Sequence, residues 1–337
     1  MTIEPSSWRF RIAALAIVVL VALVLLALSL RKAPTPSGLV VRGKPIEQWV
    51  DVMLRNSWEA VDAIREAGTN AAPFLREPLA RPTTVANTLY VKLWPRLPSR
   101  IQQELPQPVL AREARMNTVA TLRDVPELAK YMIADLLPRL HDQDGQIALH
   151  TAITMGNIGP DAKESLPILL EFTKSDKSTV RIYSARALWK VSGELEPALS
   201  VLEAGIQDKS AKFRWAAPVF LGEMGTNAMR ALPLLVEASR DGNKEVASLS
   251  IQALAEVGGD KIVSVLIEHL QSTDPSIRAS AATALGKLGP KAKAAIPALN
   301  QLVTDSALAE PAIMGRHVGI ERFSDTARGA LQKIAGK

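Results

Sequence analysis

DPSIRASAATALGKLGPKAKAAIPAL, residues 274–299, contains one complete unit of the pattern that decides the fold. Ile277, Ala281, Leu285 and Leu288 recur every three or four residues and so share one helix face. Asp274 and Pro275 suit the N-cap and first position of that helix. Gly289 suits its end, because glycine tolerates the positive φ of a helix stop. Pro297 falls inside the apolar run that follows, where it predicts a bend in a second helix, since the ring removes one hydrogen bond.

The same frame recurs along the chain. It reads GPDAKESLPIL from Gly159, GTNAMRALPLL from Gly225 and, more loosely, GELEPAL from Gly193, while Gly258-Gly259 keeps the phase without a proline. Glycines 159, 193, 225, 258 and 289 are 34, 32, 33 and 31 residues apart. Val180, Ser184, Leu188 and Val191 repeat the one-sided helix pattern a unit or more upstream. A period in this range marks a stacked array, because one helical hairpin cannot bury its own apolar face and must lean on its neighbours. The predicted fold is all-α, an α-solenoid (superhelix) of helical-hairpin repeats.

The phrase from Asp274 through Leu299 resembles a HEAT-like repeat of the phycobilisome-lyase type. It carries an Asp-Pro turn, Ile277-Arg278, Ala281-Ala-Thr-Ala-Leu-Gly286 and a proline in the following helix. Arg181 and Arg214 match Arg278, whereas Ala148 and Ala247 depart from it. The Trp…Gly…Tyr pattern of tetratricopeptide repeats and the Thr-Pro-Leu-His phrase of ankyrin repeats are both missing from the sequence. Upstream, Gly43-Lys-Pro-Ile-Glu-Gln-Trp49 and a shortened repeat, Ala63 to Leu75, are similar to the amino-terminal part of bacterial single-span HEAT-repeat proteins. Residues 80–125 break the phase, with prolines at 82, 95, 98, 106 and 108. The expected organisation is a tail over 1–11, a transmembrane helix over 12–30, a linker over 31–45, a helical cap with a degenerate repeat over 46–125, and the HEAT-like solenoid over 126–337. A long connection over 305–322 precedes a closing helix from Ser324 to Ile334.

Ile12 to Leu30 is a run of 19 residues with Ser29 as its only polar member. As a helix it spans about 28 Å, close to the ~30 Å hydrocarbon core of a bilayer. Ala27-Leu28-Ser29 offers the alternative of a cleaved signal peptide. The run is longer than a usual signal core, and Leu30-Arg31-Lys32 makes a poor mature start, so it reads as an uncleaved single-pass anchor. Arg9 and Arg11 precede the run and Arg31 and Lys32 follow it, giving the positive-inside rule little contrast. The short leading tail places the body in the periplasm or another extracytoplasmic space. Prolines 34, 36 and 45 make residues 33–45 a semi-extended spacer.

Of the net charge of +6, residues 1–44 contribute +5 and the other 293 only +1. Basicity therefore belongs to the membrane flanks, which disfavours a phosphate-binding groove; no nucleic-acid partner is expected. The chain has no cysteine and four histidines, none four residues from another. HEAT-like metal hydroxylases use repeated His-Glu dipeptides, which do not occur here. His141, Asp142 and Asp144 share a turn where a weak cation site competes with a simple capped loop. No phosphate loop, nucleophile elbow or triad ordering stands out. The expectation is no catalytic, cofactor or metal residue and no small-molecule substrate.

With Arg278 as the frame, the outward side of the first helix of each hairpin carries Tyr183, Arg186, Trp189 and Lys190. The next hairpin carries Trp215, Val219 and Glu223, and the one after it Gln252 and Glu256. In HEAT arrays these helices line the concave surface, and Trp, Tyr and Arg dominate binding hot spots. Tyr183, Arg186, Trp189, Trp215, Glu223, Gln252 and Glu256 are therefore the candidate contact residues for a protein or peptide partner. The competing role of Trp189, which replaces a glycine, is to fill space between hairpins. Trp49, Trp58 and Trp94 read as cap or core residues. The alternative functions are an enzyme or enzyme subunit of the lyase type and, after it, a nucleic-acid binder.

Overall fold

The computed structural model describes residues 38–55, 57–105, 107–208, 214–304 and 323–336. They fall into two compact units, one ending at Ile158 and the other beginning at Gly159. The expected transmembrane helix over 12–30 and the connection over 305–322 lie outside the described residues. Among the described residues, no helix is long and apolar enough to cross a membrane.

The first unit opens with a two-stranded antiparallel hairpin, β1 (Val40–Val41) and β2 (Lys44–Pro45), where an extended spacer was expected. Arg42 and Gly43 both take positive φ, 49° and 74°, the geometry of a two-residue hairpin turn. Trp49 locks the hairpin down: it is 2% exposed and its indole Nε1 donates to the Val41 carbonyl at 2.8 Å. Helices α1 (Ile46–Met53), α2 (Trp58–Ala67) and α3 (Ala72–Ala80) follow. Trp58 stands 79% exposed and is no core residue, whereas Trp94 is half-buried with its ring edge-on to Tyr90. The proline-rich stretch holds two short helices, α4 (Val85–Leu93) and α5 (Ser99–Glu104). Then α6 (Ala111–Asp124) runs unbroken and packs on α3, followed by α7 (Pro126–Lys130), α8 (Ile133–Leu136) and α9 (Gly145–Ile158), which packs on α6.

The second unit is a stack of hairpins. Its helices are α10 (Leu166–Phe172), α11 (Ser178–Ser192), α12 (Ala198–Gln207), α13 (Ala216–Met224), α14 (Leu232–Ala238), α15 (Lys244–Gly258), α16 (Val263–His269), α17 (Pro275–Leu288), α18 (Ile296–Thr304) and α19 (Phe323–Ile334). The odd-numbered helices form one row, with α15 against α13 and α17 and α17 against α19; each even-numbered helix packs on the odd-numbered helix that follows it. One continuous apolar core threads the stack from Ile182 to Ile334 and consists largely of Ala and Leu.

The sequence grammar explains the joints. Gly193, Gly225, Gly259 and Gly289 cap α11, α13, α15 and α17 with positive φ. At the double glycine the stop is Gly259; Gly258 is still helical, and a Cβ there would lie 2.6 Å from Ile262 and 2.9 Å from Leu232. The prolines do not bend the second helices. A 3-10 turn fills Gly159–Ser165, Gly225–Ala231 and Gly289–Ala295, with Ala162, Ala228 and Ala292 off helical geometry. The α-helix begins only afterwards, with Pro167 and Pro233 in its first turn, where the missing N–H has no intrahelical partner to lose. Asp274 caps α17 as its sequence suggests, accepting from Ser276 N at 2.8 Å.

Candidate functional site

The candidate contact residues separate into a junction, a pair and a lone side chain. Tyr183, Arg186, Trp189 and Lys190 lie on α11 and Glu223 on α13. Phe220 of α13 joins them: Tyr183 meets its ring edge-on at 5.1 Å and the Arg186 guanidinium lies 5.2 Å over it. Arg186 also donates from Nε to Glu223 at 2.9 Å, and Lys190 sits 3.6 Å from Glu223 and 4.4 Å over the Trp189 ring. Tyr183, Trp189 and Trp215 are all half-buried against the core. Trp189 thus fills space between helices and still presents part of its surface. Glu256 pairs with Lys287 of α17 at 2.9 Å, and Gln252 is half-buried on α15.

The arginine frame has a structural job at the other end of these helices, where one hairpin hands over to the next. Arg181 and Arg278 each donate to the two carbonyls six and five residues before them: Ser175 at 2.9 Å and Asp176 at 3.0 Å, Ser272 at 2.8 Å and Thr273 at 3.1 Å. Arg181 further reaches Asp208 at 3.3 Å, and Arg214 holds Asp241 through both guanidinium NH2 groups. In the first unit Arg115 pairs with Asp142 at 3.0 Å. In all three cases the aspartate lies 27 residues after its arginine, in the turn before the next helix of the row. Where the frame holds alanine, the residue 27 positions on is serine for Ala148 (Ser175) but still aspartate for Ala247 (Asp274). At Ala247 the arginine is lost and the aspartate is kept.

At Ala247 a groove of about 680 Å³ is lined among others by Asp241, Lys244, Ala247, Ser272, Thr273 and Asp274. Asp274 is paired with the Lys244 ammonium, which together with the Ser276 bonds holds its carboxyl far below the usual carboxylate range. His269, also in the lining, is 7% exposed and shares a 2.8 Å hydrogen bond between Nε2 and Ser239 Oγ. Burial, and then Arg240, push its pKa below the ordinary histidine value, so it is neutral at pH 7. Arg240 itself bonds Glu268 at 2.8 Å.

The turn at His141 is occupied by the protein's own cations. Asp142 meets Arg115 and Arg139, and Asp144 meets Arg112 while accepting from Gln146 N at 2.9 Å. A metal there would compete with three guanidinium groups. Among the described residues, no three His, Asp or Glu side chains gather as metal ligands.

Residues 133–217 and 232–311 match the family model of the HEAT repeats. No curated protein matches the chain. Among solved structures it is similar to an engineered protein at 17% identity and TM-score 0.43, over 86% of this chain and 84% of that one. Human deoxyhypusine hydroxylase, solved in complex with glycerol, aligns at 16% identity and TM-score 0.33 over 87% of this chain and 98% of its own. A second engineered protein aligns at 16% and 0.30, covering 86% and 96%.

Proposed function

Because the chain is a HEAT-repeat protein, we propose that it works as a membrane-anchored scaffold that binds a protein or peptide partner and performs no chemistry itself. The observation that carries this reading is the α11–α13 junction. There Tyr183 and Trp189 are held against the core yet stay partly exposed, beside Arg186, Lys190 and Glu223, while Trp215 is half-buried just before α13. Rigid aromatics pre-ordered by packing lose little freedom on contact, and a charged rim fixes their register; hot spots combine these two properties. The apolar run over 12–30 supplies the anchor in this reading, with the body outside the cytoplasm.

Crosslinking from a photoreactive residue at position 190 of the full-length protein in its native membrane tests the surface. The expected result is one dominant crosslinked protein, lost on Trp189→Ala with Trp215→Ala while the melting temperature of the variant stays within a few degrees. An unchanged crosslinking pattern in that folded double variant rejects the surface. Labelling of position 40 by a membrane-impermeant reagent in intact cells checks the orientation, and protection there would reverse it.

A further inference from the structure

We propose that the groove at Ala247 is a binding slot for an arginine side chain presented by a partner. The inference rests on the scaffold reading and adds to it a second contact point, with the chemistry of the residue that fills it. The argument comes from the molecule's own repeats. Arg181 and Arg278 show what the handover between hairpins accepts: a planar guanidinium donating to two turn carbonyls. At Ala247 the residues in those two places are Asp241 and Gly242, and Asp241 lines the groove. Asp274 lines it too, 27 residues after Ala247 as Asp208 is after Arg181. The backbone frame of an arginine site is therefore present with the arginine side chain replaced by a methyl group.

The site already draws a cation. Lys244, itself 76% exposed, turns its ammonium onto Asp274. An ammonium at the end of an exposed stem is a weak occupant, and a guanidinium, with its fork of donors, can reach a carboxylate and a carbonyl together. Binding exchanges one cation for the other at Asp274 and releases Lys244 to water. Neutral His269 adds no repelling charge to the lining. The carboxylates of Asp241, Glu268 and Asp274 are matched by Arg214, Arg240 and Lys244, so a guanidinium enters by displacing Lys244 rather than by meeting surplus negative charge.

The test uses full-length protein in detergent micelles with labelled alanine and isoleucine methyls, titrated with amidated Gly-Arg-Gly. The expected result is saturable shifts at Ala247 and Ile277, with no response to the neutral isostere in which citrulline replaces arginine. Lys244→Ala should tighten binding severalfold by removing the competitor, an effect that a purely structural lysine would not give. Asp274→Asn keeps an N-cap and should weaken binding about tenfold, the scale of one charge-assisted hydrogen bond. Ala247→Arg should fill the slot from within and abolish the shifts. Equal shifts with the citrulline peptide overturn the proposal, as do shifts that persist in folded Ala247→Arg. If that variant does not fold, unchanged affinity in Asp274→Asn overturns it. Crosslinking at position 190 that survives while the arginine peptide fails to bind rejects the slot alone; the reverse outcome rejects the aromatic surface alone.

Discussion

Between α13 and α15 the helices meet at Gly222, where an added Cβ would lie 3.3 Å from the Ala253 Cα; between α17 and α19 they meet at Gly286, where it would lie 3.1 Å from the Ala330 Cα. Between α11 and α13 the same level of the row carries Trp189, and α13 has Phe220, packed against Tyr183, where α11, α15 and α17 have Ala187, Ala253 and Ala284. The later junctions are therefore backbone against backbone, and the earlier one is side chain against side chain. The difference teaches that one repeat grammar supports two kinds of joint, which fail in opposite ways. A close joint has no room for added atoms, because backbone cannot give way. A propped joint suffers when its props are shortened.

The largest expected effect is Phe220→Ala. With the side chain only 7% exposed, its removal should cost about 3 kcal/mol in urea unfolding, against the few tenths expected of an exposed residue. Gly286→Leu comes next, at about 2–3 kcal/mol from overpacking against Ala330. If it were neutral, the distinction between close and propped joints would fail. Trp189→Ala should cost about 1–2 kcal/mol, since the ring is only half-buried; a loss as large as that of Phe220 would make it a core residue and weaken its claim to a partner. The Arg186–Glu223 pair should show a coupling below about 1 kcal/mol in a double-mutant cycle, fading in high salt, because both side chains keep solvent contact. The last effect is in pH. The folded-state pKa of His269 is depressed by burial, so the unfolded chain takes up its proton first as pH falls below about 6.5. Its share of stability is complete above that pH and is lost as pH falls through the folded-state value. His150 in the first unit has the same sign for the same leading cause. Replacing both histidines with glutamine should flatten the fall in stability between about pH 7 and pH 5.

Much of the second unit was legible because glycine position and helix phase are local properties. Gly193, Gly225 and Gly289 end helices where their spacing says they should, and the closing helix begins at Phe323, one residue from its predicted start. Proline misled for a reason also local: the sequence shows a proline in an apolar run, but not that a 3-10 turn precedes it and makes it a first-turn residue. Phe220 was missed because it lies on neither the apolar nor the outward face of the sequence frame, and only the neighbouring helix reveals that it props Tyr183 and Arg186. The arginine frame was visible along with its breaks at Ala148 and Ala247. Its partners were not, because Asp208 and Asp241 lie 27 residues on and become neighbours only after the hairpin turns back.

Those arginine–aspartate pairs also give the stack an uneven resistance to being pulled apart. Parting α13 from the turn before α15 means rupturing a two-pronged, short-range bond at Arg214 and Asp241, which yields abruptly. Parting α15 from the turn before α17 meets a single-pronged tie instead, the ammonium of Lys244 on Asp274, because alanine stands at position 247. Loaded along its length, the second unit would give way less abruptly at that tie than at Arg214.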